Sequence, residues 1–444
     1  MKNWIKHRSQ WLLTTCLIVI SPLATATPEI HQWQTNNGAR VYYVAAPELP
    51  MVDVRITFDA AGSRDGKLPG LALLTNGLLE EGAGTLNADQ IADRFAAVGA
   101  NFGASSHRDM AVITLRSLTQ PELLDKAVVT LAALLTQPTF PQQALNRERN
   151  RLLIALQSKK QAPDAIANDA FFNALYGNHP YANDASGTET SVKKIKRQDL
   201  LNHHKRYYVG RNATLSIVGA VDRQQAEALA ETIIGKLSPG EHAPAIPAVT
   251  PLKTAQRVKK EFPSTQTHIL VGQPAITRND PDYFPLYVGN HILGGGGLVS
   301  RLTEEIREKR GLSYSTYSYF SPMRQSGPFT MGLQTRNDQA DEALKLLNET
   351  LKNFIDNGPT KEELKAAQQN ITGGFALGLD SNSKIIDNIT AIGFYQLPLD
   401  YLDTYTTKVD AVTIEQIRDA FQRRLQPENM VTVTVGGIAE SAAP

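Results

Sequence analysis

The second half of this chain repeats the first, and that limits the folds open to it more than any other feature. Residues 212–219 (Asn-Ala-Thr-Leu-Ser-Ile-Val-Gly) are echoed by residues 429–436 (Asn-Met-Val-Thr-Val-Thr-Val-Gly), and Leu145, early in one long helical stretch, is matched by Leu364 in another. The offsets of the two pairs are 217 (429 less 212) and 219 (364 less 145). A near-constant offset over such a distance implies duplication of one structural unit. In the first copy, period-two alternation over 52–58 marks a strand, 40–44, 101–105, 110–118 and 214–219 read as further strands, and 69–79, 88–98, 122–135 and 141–160 read as helices. The second copy gives strands at 267–272, 313–320 and 327–335 and helices at 283–293, 301–309, 339–356 and 361–373 in the same order. Pro239, Gly240, Pro244, Pro247 and Pro251 mark a stiff, irregular connection between the copies. The expected organisation is a first α+β domain over 27–236, a linker over 237–262 and a second domain over 263–440.

Composition excludes some functions. Lys plus Arg number 45 against 44 Asp plus Glu, so no excess charge draws the chain to nucleic acid or an acidic membrane. The short basic cluster at 193–197 reads as a solvated face. The N-terminus carries Lys2, Lys6, His7 and Arg8, then an apolar run over 11–20, then Ala24-Thr25-Ala26. That order is a secretory signal peptide over 1–26 with cleavage after Ala26. The apolar run is too short for an ordinary spanning helix. Lipidation at Cys16 fits worse, because Thr15 is bulky and little apolar sequence precedes it. Cys16 is the only cysteine, so the mature chain has no thiol to form a disulfide, hold a metal or act as nucleophile. The expected location is the periplasm.

Several segments, in this order, resemble the M16 peptidases, the pitrilysin and processing-peptidase family. They are Gly70-Leu71-Ala72-Leu73-Leu74-Thr75-Asn76-Gly77-Leu78-Leu79 followed by Gly84-Thr85; Glu148-Arg149; Leu175-Tyr176-Gly177-Asn178-His179-Pro180-Tyr181 with Gly187; and Tyr207-Tyr208-Val209-Gly210-Arg211-Asn212. In the second half, Gly294–Gly297 leads to Ser300-Arg301-Leu302 and then to residues 306–315, Ile-Arg-Glu-Lys-Arg-Gly-Leu-Ser-Tyr-Ser. The resemblance spans roughly residues 30–438. It implies two homologous LuxS/MPP-like α+β domains, each a mixed β-sheet covered by helices, facing each other as a clamshell.

Active members of that family carry His-x-x-Glu-His on the first helix. Two histidines four apart share a helical face and ligate zinc, the glutamate activates the zinc-bound water, and a later glutamate completes the site. With Gly70 and Gly84-Thr85 as anchors, the first histidine falls on Leu73, the base on Asn76 and the second histidine on Gly77. The third ligand falls on Ala155, or on Ile154 if the register slips. None can do the work: Leu and Ala have no lone pair, Gly has no side chain, and a neutral Asn takes no proton near pH 7. No histidine lies between His31 and His107, and Glu80 and Glu81 lack histidine partners. Glu148 matches a supporting family glutamate and is retained. The adjacent His203 and His204 diverge on a helix and are expected at the surface. His179 is expected to be structural, His107 sits at a hairpin tip without a role, and His268 and His291 are expected in core or interface. No metal is expected on this chain; zinc is expected on a partner.

Arg307 and Tyr314 match a pair that, in two-subunit members of the family, one subunit lends to the zinc-bearing other. A guanidinium and a phenol can bond a substrate carbonyl and its developing oxyanion. They also read simply as a helix-surface Arg and a strand Tyr. Gly294, Gly295, Gly296 and Gly297 lack the Lys-Ser/Thr of a phosphate loop. By resemblance they form a flexible loop guiding extended substrates; as bare sequence they form a turn between helices. The favoured reading is a non-catalytic subunit that closes the chamber of a heterodimer and binds extended peptide. The alternatives are a peptide-binding or scaffold protein, self-associating and without a protease partner, and a peptidase with an unrecognised site.

Overall fold

The computed structural model describes residues 27–438, so the predicted signal segment lies outside the described residues. The first half forms β1 (His31–Gln34), β2 (Arg40–Ala45), β3 (Met51–Phe58), a two-residue hairpin β4 (Gly82–Ala83) and β5 (Leu86–Asn87), β6 (Asn101–Ser106), β7 (Ala111–Leu118) and β8 (Ala213–Gly219). Its helices are α1 (Leu71–Gly77), α2 (Ala88–Ala96), α3 (Pro121–Thr136), α4 (Gln142–Lys159), α5 (Pro163–Tyr176), α6 (Glu189–Lys194), α7 (Arg197–Tyr207) and α8 (Arg223–Ile234). The second half forms β9 (Gln256–Pro263), β10 (Gln266–Ile276), β11 (Thr316–Phe320), β12 (Gly327–Arg336) and β13 (Val431–Ile438). It adds α9 (Tyr283–Asn290), α10 (Ala340–Asn357), α11 (Lys361–Phe375), α12 (Asn382–Tyr395), α13 (Tyr401–Asp410) and α14 (Ile414–Arg424).

Each half builds one mixed sheet. The first has order β1-β2-β8-β3-β7-β6, and the second, read from its far edge, has order β9-β13-β10-β12-β11. Apart from β1 the orders are the same, and in both the one parallel pair joins the first core strand to the last, β2 to β8 and β9 to β13. The helices keep the offset too: α3, α4 and α5 start at 121, 142 and 163, while α10, α11 and α12 start at 340, 361 and 382, each 219 later.

The segment 237–262, expected to be linker throughout, needs a correction. It is irregular only to 255; β9 occupies Gln256–Pro263. The strand is an edge, paired on one side only, and mostly exposed. Only Val258 and Phe262 pack, partly buried, against the core beneath it, while Arg257, Lys259, Lys260 and Glu261 fill most of the rest, so no apolar alternation announced it.

The two halves exchange a helix. In the first sheet Val41, Tyr43, Val52, Val54 and Ile56 face the half's own helices, as alternation along a strand requires. The opposite face, with Tyr42, Val44 and Val218, is covered by Ile385, Ile386, Ile389 and Ile392 of α12, which belongs to the second half. Reciprocally, α5 of the first half lays Ala167, Phe171 and Leu175 on Val431, Val433 and Val435 of the second sheet. A polar seam adds to this. The β11–β12 connection brings Arg324 and Gln325 to the first half, where Asp109 accepts the Arg324 N–H at 2.8 Å and the Tyr181 hydroxyl at 2.6 Å. The Gln325 N–H donates to that same hydroxyl at 3.1 Å. No helix among the described residues is long and apolar enough to cross a membrane.

Candidate functional site

Two helices build the place where the sequence puts the missing zinc chemistry. α1 begins at Gly70, whose backbone is left-handed (φ 98°), a conformation that glycine adopts without strain. Asp65 caps the helix, its two carboxylate oxygens accepting the Gly70 N–H at 2.8 Å and the Ala72 N–H at 2.7 Å. Burial pushes the Asp65 carboxyl up to about 7, against those two donors, which pull it down. From α1, Leu73, Leu74, Gly77 and Leu78 face Glu148, Arg151, Leu152 and Ala155 of α4 across a cleft of about 300 Å³. Leu73, Gly77 and Ala155 thus line one cleft, with Glu148 beside them. They offer zinc no donor atom, so the residues present do not fit the ion. Ile154, the alternative third position, lies outside that cleft and is 69% exposed. Among the described residues no group of three or more His, Cys, Asp or Glu side chains is arranged to hold a metal.

Asn76 turns away from the cleft. It is buried, donates from Nδ2 to the carbonyls of Ser105 at 2.6 Å and Val112 at 3.1 Å, and accepts the Tyr208 hydroxyl at 3.0 Å. It therefore staples α1 to the β6–β7 edge, which a carboxylate could not do because it has no N–H to donate. The second half has the same device. Asn290, closing α9, donates to the Ser318 carbonyl of β11 at 3.0 Å and accepts the Ser318 hydroxyl at 2.7 Å. The two asparagines and the two serines are related by nearly the same shift in numbering, 76 to 290 and 105 to 318. The repeat contained this signal, but reading Asn76 only as a failed base concealed it.

The rim of the cleft is charged. Glu148 pairs with Arg151 at 3.0 Å and with Arg147 at 3.2 Å, and Arg147 also reaches Glu81. Glu80 forms no ion pair among the described residues; burial first, then the Glu81 and Glu148 carboxylates, raise its pKa. Behind α1 lies α7, with His203 and His204. The expectation of surface histidines fails for His203, which is buried, and holds only in part for His204, which is half-buried. His203 Nε2 donates to the Ala60 carbonyl at 2.9 Å and His204 Nε2 to the Leu135 carbonyl at 3.0 Å. Burial holds each imidazole neutral and lowers its pKa to about 4. A pair of polar residues in a mostly polar helix gave no hint that this face turns inward. His179 is structural, its Nδ1 accepting the Tyr181 N–H at 3.1 Å.

The second predicted feature is a preformed pair. Arg307 lies in a π-helical turn, Thr303–Glu308, and its guanidinium sits 4.8 Å from the centre of the Tyr314 ring. Tyr314 is 83% exposed, an unusual state for a large aromatic ring, and its hydroxyl is free to meet a partner or ligand. Neither residue lines the cleft at Leu73. The glycines differ from a plain loop. Gly294 and Gly295 finish a π-helical turn, His291–Gly295, and a Cβ on Gly294 would stand 2.4 Å from Ser318 Oγ. Beyond Gly296 and Gly297, Leu298 (68%) and Val299 (82%) stand exposed.

Residues 40–189 match the family model described as insulinase, peptidase family M16, and residues 194–371 match the peptidase M16 inactive domain. A crystal structure of a peptidase M16 inactive domain from Pseudomonas fluorescens superposes with a TM-score of 0.89 at 38% identity, covering 94% of this chain and 100% of that one. The Helicobacter pylori non-peptidase homolog YmxG is 28% identical over 415 residues, 92% of this chain and 94% of its own length. The Bacillus subtilis uncharacterized zinc protease YmxG is 25% identical over 394 residues, 87% of this chain and 94% of its own.

Proposed function

The chain belongs to the M16 peptidase family, and from that premise we propose that it is the non-catalytic subunit of a periplasmic M16 peptidase. It closes the chamber, binds extended peptide and lends Arg307 and Tyr314 to a partner that carries zinc on an intact His-x-x-Glu-His helix. One observation carries the reading: the cleft where ligands would stand is lined by Leu73, Gly77 and Ala155, with Asn76 committed to the fold, while Arg307, half-buried and paired with Glu308 at 3.4 Å, stands against the exposed ring of Tyr314. The match to an inactive-domain model and the non-peptidase name of a relative support the same view. A guanidinium and a phenol act on a scissile carbonyl only in the presence of an activated water, so this chain hydrolyses nothing alone.

The test is the metal content and peptidase activity of the purified mature chain, alone and mixed with a zinc-bearing M16 chain. The expected result is no stoichiometric zinc and no cleavage alone, and cleavage in the mixture that falls about 100-fold on Arg307→Ala, the usual scale for removing one transition-state donor. Zinc-dependent cleavage by the lone chain would overturn the reading.

A further inference from the structure

We infer that the second half holds a binding site for a small aryl carboxylate, in the cavity where the start of α9 meets the α12–α13 connection. Neither Arg307 nor Tyr314 lines this cavity, and the inference stands apart from the proposed subunit role.

The first observation is a difference between the repeats. By the shift that relates Asn76 to Asn290, Pro69 and Gly70 correspond to Tyr283 and Phe284. In the first half the connection from α5 to α6 closes over this place. A Cβ on Gly70 would stand 3.1 Å from the Ser186 carbonyl oxygen, and one on Gly187 would stand 2.1 Å from the Pro69 carbonyl oxygen. That connection runs over 177–188, whereas its counterpart between α12 and α13 runs only over 396–400. The shorter connection leaves a cavity of about 570 Å³ between Phe284 and Leu397. That size falls within the usual range for small-molecule sites, roughly 300–1,000 Å³.

The second observation is the character of the walls. Three rings line the cavity, Tyr283, Phe284 and Tyr401. Tyr283 meets Phe284 edge to face at 5.3 Å between centroids, and Phe284 meets Tyr401 at 6.2 Å in a tilted arrangement. Leu397 and Val412 add apolar surface. Rings in such arrangements accept a further flat ring, stacked or edge-on, and burying it removes apolar area from water.

The third observation is charge without an answer. The Arg278 guanidinium lies 5.2 Å from the centre of the Tyr283 ring, and the Lys408 ammonium lies 5.7 Å from that of Phe284. Neither cation forms an ion pair among the described residues. Asp280, the carboxylate in the lining, is taken by Arg424 at 2.8 Å, and Asp282 nearby is taken by Arg423 at 2.9 Å and Arg424 at 2.6 Å. A ligand carboxylate supplies the missing partner, and a ligand cation adds repulsion.

The experiment measures binding of 2-naphthoate, 2-naphthamide and acetate to the full mature chain by titration calorimetry. The amide keeps the ring and loses the charge; acetate keeps the charge and loses the ring. The expected result is one site for 2-naphthoate, about tenfold tighter than for the amide and roughly a hundredfold tighter than for acetate. Arg278→Gln combined with Lys408→Gln should erase the preference for naphthoate over the amide and keep the parent's melting temperature, since neither side chain holds an ion pair. Ala411→Trp, at an exposed position of the lining, should weaken both naphthyl probes about tenfold by occupying the mouth. Equal affinity for naphthoate and the amide, no measurable binding of naphthoate, an unchanged preference in the double variant, or unchanged affinity in Ala411→Trp would each overturn the inference.

Discussion

Asn76 and Asn290 hold the same post in the two halves, each fastening the first helix of its half to a serine on the edge strand. What stands beside them differs. Next to Asn76, Leu73 and Gly77 open onto an apolar cleft. At the corresponding places beside Asn290, Tyr287 and His291 line a cavity of about 530 Å³ between α9 and β11. The frame is duplicated and the chemistry is not. A site can therefore be emptied of ligands without loosening the helix that would have held them, because the helix is secured by a residue pointing the other way.

The most drastic way to break the comparison is to separate the halves. Each sheet has one face covered chiefly by a helix from the other half, α12 on the first and α5 on the second. Residues 27–255 alone should expose Tyr42, Val44 and Val218 and fail to fold. Broad amide NMR lines and binding of a hydrophobic dye would show this, whereas a cooperative melt of the isolated half would show that the exchange is not required.

Acid should distinguish the halves next. At the offset that relates β8 to β13, His203 and His204 of α7 have Ala420 and Phe421 of α14 as their counterparts. The histidine pKa values, about 4 in the fold against about 6.5 unfolded, give stability that is complete above pH 6.5 and lost as pH falls toward 4. The loss amounts to about 3 kcal/mol per histidine. Asp65, raised to about 7, works in the opposite sense over part of the same range. The clean measurement is therefore the difference between the parent and His203→Gln. The variant should lose about one proton's share of the slope of unfolding free energy against pH, and equal slopes would count against a neutral buried His203.

The staple itself gives the smallest effect. Asn76→Asp removes two donors and sets a carboxylate against the Ser105 and Val112 carbonyls, costing about 2 kcal/mol or more. Asn290→Asp removes one donor and keeps the acceptor of the Ser318 hydroxyl, costing about 1 kcal/mol. Urea midpoints that reversed this order would show that the number of donors lost does not set the cost.

Much of this was legible in the sequence. The repeat offset and the apolar alternation of β2, β3 and β8 give the sheets, because their buried faces must alternate. β9 was hidden because an edge strand in solvent need not alternate. The histidines of α7 were hidden because a hydrogen bond to a carbonyl, rather than an apolar side chain, makes their burial possible. Leu73, Gly77 and Ala155 could be identified by position, but their shared cleft could not, since it depends on how α4 crosses α1. The exchange of α5 and α12 left no mark, because an apolar helical face does not say which sheet it will cover.

That exchange also sets a schedule for folding. The first sheet has all its strands once Gly219 has been made, yet the helix that covers its second face begins only at Asn382. At the usual ~5–20 residues per second of synthesis, the interval is roughly ten to thirty seconds. Throughout it the nascent first half offers Tyr42, Val44 and Val218 to any apolar surface nearby. A pause near residue 380 should therefore lower the yield more than a pause of equal length near residue 440.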